Sequence, residues 1–78
     1  MRVYFHLIND VDVPDEEGVE VADLDAGRAC AVEQARGLIG EQVKSEGRIV
    51  LSHRIDIEDE SGAVLETLYF RDVIRIES

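Results

Sequence analysis

Few residues in this chain have the chemistry to act alone. Cys30 is the one thiol, and His6 and His53 are the two histidines, set among eighteen aspartates and glutamates. A nucleophilic cysteine needs an adjacent base or a depressed pKa. On a helical wheel Cys30 falls away from the apolar stripe, beside Glu33 and Ala26, and an acidic setting raises a thiol pKa. It reads as a surface residue. Two histidines among many carboxylates are raw material for a metal site, but their spacing fits no ligand pattern, so each reads as a packing or hydrogen-bonding residue of a strand. Asp10, Asp12 and Asp15 begin like a calcium loop and then depart from one: Pro14 stands fifth, Asp15 takes the sixth place where the sharp turn wants glycine, and Val21 takes the twelfth where a bidentate glutamate belongs. Without a pocket, any carboxylate pair chosen for acid–base work is arbitrary. There is no glycine-rich phosphate loop and no Ser-His-Asp order. The reading is therefore of no catalytic residue, no cofactor and no metal.

Charge is the stronger signal. Eighteen acids against eight bases give a net charge of −10. Between Arg2 and Arg28 there is no lysine or arginine, while Asp10, Asp12, Asp15, Glu16, Glu17, Glu20, Asp23 and Asp25 all fall in that interval; Asp56, Glu58, Asp59 and Glu60 form a second cluster. Nucleic-acid binding needs lysine and arginine to displace counterions from phosphate, so nucleic acid is not an expected partner. A basic protein is, and Asp10, Asp12, Asp15, Glu16, Glu17 and Glu20 are the candidate surface for it. A single cysteine rules out an internal disulfide, and Met1 to Ile8 is too short and too interrupted for a signal peptide or membrane span, which points to the cytoplasm.

The elements that position these groups follow from pattern. Residues 1–78 are expected to form one domain, burying roughly 60–65% of the unfolded surface. Arg2 to Ile8 reads as a strand with Val3, Phe5 and Leu7 toward the core. Asn9 to Gly18 reads as an acidic loop punctuated by Pro14 and Gly18, and Val19 to Val21 as a short returning strand. From about 23 to 46 the apolar residues recur at helical spacing, with Asp23 as N-cap, Leu24, Ala31, Ala35, Leu38 and Ile39 in one stripe, Val32 and Val43 at its flank, and Gly47 as the stop. Alternation from Ile49 to Asp59 predicts a half-buried strand with Ile49, Leu51, Ile55 and Ile57 on one face. Asp59-Glu60-Ser61-Gly62 then turns the chain into a partner strand from Ala63 to about Phe70, with Val64, Leu68 and Phe70 inward and Glu66 in an awkward inward place that suggests a bulge. The stretch 72–77 reads equally as strand or helical turn. The expected fold is α+β, order β-β-α-β-β, one long helix on an antiparallel sheet of three to four strands, with Tyr4, His6, Ile8, Val50 and Tyr69 lining an opposite face that a second copy of the chain could cover as a homodimer.

Tyr4-Phe5-His6, the Pro14-Asp15-Glu16-Glu17-Gly18 turn, the alanine-rich helix and the Ile55-x-Ile57-x-Asp59-x-x-Gly62 hairpin ending in Phe70-Arg71-Asp72 together resemble the DUF6894 group of short bacterial proteins over nearly the whole chain. That resemblance implies a fold and no activity, cofactor or partner. The stretch Val19-Glu20-Val21-Ala22-Asp23-Leu24 is also similar to a HicB-type antitoxin segment, with Ala22 where proline belongs there. The first functional reading is a non-enzymatic protein-interaction or regulatory module. Its alternative is a HicB-like antitoxin domain that neutralises a basic toxin, and a third is a small-ligand binder or enzyme using His6, His53 and Tyr69.

Overall fold

Asp23 sets the start of the dominant element: its Oδ1 accepts the Ala26 N–H at 2.8 Å, and Asp25 adds negative charge to the first turn, where the helix dipole favours it. In the computed structural model, which describes residues 1–78, the helix α1 runs Leu24–Glu46. It ends where Gly47 takes the left-handed conformation at φ 69° and its N–H reaches Val43 O. Gly27, Ala31, Ala35 and Ile39 are its buried residues. Three of the four are small, so the helix lies close to the sheet.

The strands are β1 Arg2–Ile8, β2 Asp12–Val13, β3 Val19–Glu20, β4 Arg54–Glu58 and β5 Val64–Tyr69, followed by a single helical turn, α2, at Phe70–Val73. The sheet order is β2-β1-β4-β5, with β3 paired to the other end of β1, and every pairing is antiparallel. The architecture is α+β with the expected element order, plus one strand that the acidic loop conceals. Val3, Phe5, Ile55, Ile57 and Leu68 face α1 and, with Phe70 and Val73, form one continuous core with the helix alanines.

Several expectations are corrected. The strand read from Ile49 begins only at Arg54; Leu51 and Ser52 form a turn closed by the His53 N–H to Val50 O, and the α2 residues bond to it and just beyond it, Arg71 N–H reaching Leu51 O and Phe70 N–H reaching His53 O. Leu51 is exposed. On the helix, Leu38 and Val43 are also exposed, whereas Ile39, the next residue after Leu38, is buried. Val64 faces away from the core. The register shift that pairs Ile57 with Glu66 but Glu58 with Val64 leaves Leu65 as the extra residue, and so moves Val64 to the face of Glu58. Glu66 keeps its inward place because Arg28 grips it, Nε lying 2.7 and 2.8 Å from the two carboxylate oxygens. Cys30 is half-buried against the core rather than on the free surface, a consequence of the close approach that Gly27 and Ala31 permit. The ambiguous stretch resolves as the end of the helical turn, with no regular structure from Ile74 on.

Candidate interaction surface

The acidic segment is fixed to the sheet, and its own sequence does the fixing. The Asp15 carboxylate accepts three backbone N–H groups, from Phe5 at 3.2 Å and from Glu17 and Gly18 at 3.1 Å each. Arg2 Nη1 donates to Glu17 O at 2.6 Å, and Met1 and Val21 exchange two bonds of 2.8 Å at the base of the loop. Gly18 is obligatory here: it sits at φ 73°, and a Cβ there would lie 2.8 Å from the Tyr4 ring and 2.9 Å from Val3 O.

Burial of Asp15 on its own raises its pKa, but the bonds from Gly18, Phe5 and Glu17, with the charge of Arg2, outweigh it and hold the carboxyl below the ordinary 3.8. A group depressed in the folded state contributes stability that is complete above its unfolded pKa and is lost as pH falls through the folded one. Asp15→Ala is therefore expected to cost about 1–3 kcal/mol at neutral pH, three N–H groups losing their acceptor. In urea titrations the gap to the unaltered protein should close as pH drops below 3.8. A gap that persists unchanged into that range contradicts the assignment.

Register decides where the acids point. Side chains of directly paired residues share a face, so Asp12, opposite Ile8, and Glu20, opposite Arg2, join the sheet face that α1 leaves uncovered. The same face carries Tyr4, His6 and Ile8 from β1, Arg54, Asp56 and Glu58 from β4, and Thr67 and Tyr69 from β5. Asp56 is 7% exposed at its centre, accepting from Thr67 Oγ1 at 2.8 Å and Arg54 Nε at 3.3 Å. His6 Nδ1 lies 2.9 Å from Glu58 Oε2, with its Nε2 buried and unpartnered. Arg71 stacks on Tyr69, 4.4 Å from the ring centre.

The six acids singled out in sequence thus divide by task. Asp15 holds the loop. Glu20 pairs with Arg2 at 3.2 Å, and Asp10 stands 3.6 Å from His53 Nε2 and 3.9 Å from Arg48. Asp12, Glu16 and Glu17 are exposed and their carboxylates have no cationic partner. The second acidic cluster is partly structural too: the hydrogen bond from the Ser61 hydroxyl, then those of the backbone N–H groups of Ala63, Ser61 and Gly62, hold the Asp59 carboxyl below its ordinary value.

The trio His6, His53 and Tyr69 is not brought together. His6 and Tyr69 lie on the uncovered face, whereas His53 is buried on the helix side, its ring edge-on to Phe70 at 5.7 Å. No group of three or more histidine, cysteine, aspartate or glutamate side chains is disposed to hold a metal ion, and no helix is long and apolar enough to cross a membrane. The shared face of Asp12, Glu20, Asp56 and Glu58 was hidden in the sequence because it depends on strand register; the exposed pair Glu16-Glu17 was visible there.

Among known proteins, the model of the family described as "Domain of unknown function (DUF6894)" matches residues 2–71. Neither the curated proteins nor the solved structures yield a match.

Proposed function

The chain belongs to the DUF6894 family, and from that premise we propose that it is a non-enzymatic interaction module whose acidic loop and adjoining sheet face receive a basic protein. One observation carries the reading: the acidic loop is pinned by β2, β3 and the Asp15 carboxylate, yet leaves Asp12, Glu16 and Glu17 exposed and unpaired. A charged surface held rigid in advance binds with less loss of conformational freedom than a mobile tail, and a concentrated field of one sign steers an oppositely charged partner.

Affinity capture from the native host at low and at moderate salt tests this. A basic protein, retained at low salt and released as salt screens the pair, is the expected result. A basic RNA-handling partner narrows the reading to the antitoxin form. Recovery of nothing basic, or of a partner indifferent to salt, counts against it.

A further inference from the structure

The sheet ends on β5, and part of its outer edge is open. No strand pairs with it on the side away from β4. The Phe70 N–H bonds to His53 O, which makes Phe70 and His53 a bonded pair at the end of the β4–β5 ladder. Bonded and unbonded pairs alternate along antiparallel strands, so the N–H and C=O of Thr67 and Tyr69 turn away from β4. Tyr69 bears out the phase, because its N–H is taken by Asp72 Oδ2 at 3.2 Å. Asp72 at one end and the bulge at Leu65 at the other confine the open edge to a short stretch centred on Thr67. Leu65 and Val64, 37% and 53% exposed, adjoin it. The opposite edge of the sheet has no such opening: β2 and β3 have two residues each, with Pro14 and a run of acids between them.

A hollow of about 540 Å³ runs along α1 on the same side, lined by Asp25, Arg28, Ala29, Val32, Glu33 and Arg36. Two bonds fix its place: Arg28 Nε to Glu66 of β5 at 2.7 Å, and Arg36 Nε to Val73 O of α2 at 2.8 Å. Two acids and two bases select neither an anion nor a cation. Glu33 and Arg36 are exposed, and neither forms an ion pair within its own chain. Their order suits a second copy of the same helix. A two-fold axis midway along the lining sets Asp25 against Arg36 of the second copy and Ala29 against its Val32. Each end then gathers Asp25 and Arg28 of one chain with Glu33 and Arg36 of the other, two charges of each sign. Arg28 beside Glu66 and Arg36 beside Val73 bracket the level of Thr67, so one axis serves both strand and helix.

We propose that the chain forms a symmetric dimer in which β5 pairs antiparallel with β5 of a second copy about Thr67, joining the two sheets into one. Thr67 meets its own counterpart and exchanges two backbone hydrogen bonds with it, while Leu65 meets Tyr69 of the second copy. Because α1 packs over β4, three strand spacings, about 14 Å, separate the two helices. Arginine and carboxylate side chains span that gap above Ala29 and Val32. A contact this short falls below about 1,200 Å² and belongs with weak associations. The inference goes beyond the basic-partner reading and does not depend on it: β2, β3 and the acidic loop lie at the far edge of the sheet and stay free, so each dimer presents two such loops.

Sedimentation of the whole chain from about 10 μM to about 1 mM, the span of weak affinities, should show a concentration-dependent dimer. The Thr67 amide proton, open to water in the monomer, should exchange more slowly as concentration rises. Thr67→Pro removes the outward donor without breaking a bond to β4 and should abolish the dimer. Should that variant fail to fold, Leu65→Lys, at an exposed position, decides the matter: it should weaken association about tenfold, since symmetry removes two cross-strand pairs at once. Asp25→Arg and Arg36→Asp should each weaken self-association, and their equimolar mixture should restore it, because the two variants carry opposite charges at facing positions. A chain still monomeric at the highest concentration, or a mixture no tighter than either variant alone, would overturn the arrangement. A dimer that ignores Leu65→Lys but is lost in Ile8→Lys belongs to the uncovered sheet face, and β5 pairing is then wrong.

Discussion

Ile57→Ala is expected to remove about 2–5 kcal/mol of folding stability, the range for emptying a fully buried large aliphatic position. Ile57 is 0% exposed, in the central strand β4, between Phe5 and Glu66 across the ladders and beneath α1. Stability of about 0.05–0.15 kcal/mol per residue gives a 78-residue chain only about 4–12 kcal/mol in all. One side chain then accounts for a large share, because ten residues make up the whole apolar core and few neighbours can close on a void. In urea the midpoint should fall steeply with the slope unchanged. Ile57→Val, which keeps the branched stem, should lose about 0.5–1.5 kcal/mol, and Val11→Ala, at a residue 64% exposed, should stay within about 0.5 kcal/mol. A deficit for Ile57→Ala no larger than that of Val11→Ala contradicts the placement of the core beneath β4.

What the sequence reveals here is what short-range chemistry decides. Asp23 as a cap, Gly47 and Gly62 at positive φ, and the alternation of Val3 and Phe5 each need only a few neighbouring residues to be read, and each stands in the structure. The failures share a cause of a different kind. Ile49 and Leu51 alternate like a strand, but their segment turns, His53 N–H closing on Val50 O, and Leu51 O is taken by Arg71 N–H, twenty residues on, instead of by a neighbouring strand. Asp12 and Val13 become a strand only because β1 offers them an edge. Val64 turns outward through a bulge that the misplaced Glu66 signals without revealing which residue it displaces. The same limit governs the surface: the charge of the loop is local and legible, while the sharing of one face by Asp12, Glu20, Asp56 and Glu58 follows from pairings between segments far apart in the chain.

That distinction makes the charge of the loop separable by mutation from the charge of the molecule. Asp12→Asn, Glu16→Gln and Glu17→Gln together change the net charge from −10 to −7 and touch no carboxylate that holds the fold, so the variant should keep its thermal transition. Removing three charges from an exposed rim acts chiefly on encounter. The association rate with the captured basic partner should fall about tenfold at low salt, the lower end of the range for electrostatic steering, and the slope of rate against ionic strength should become shallower. The matched control neutralises Glu33, Glu41 and Glu60, also three exposed carboxylates without cationic partners, two on α1 and one in the hairpin turn. Screening confines an exposed charge to about 8–10 Å at ordinary ionic strength. If the acidic loop is the docking surface, the control should leave the rate nearly unchanged once salt reaches that range, while the loop variant stays slow. An equal loss in both variants means that the partner answers to the overall field of the protein and not to Asp12, Glu16 and Glu17, and the rigid anchoring of the loop by Asp15 then serves the fold alone.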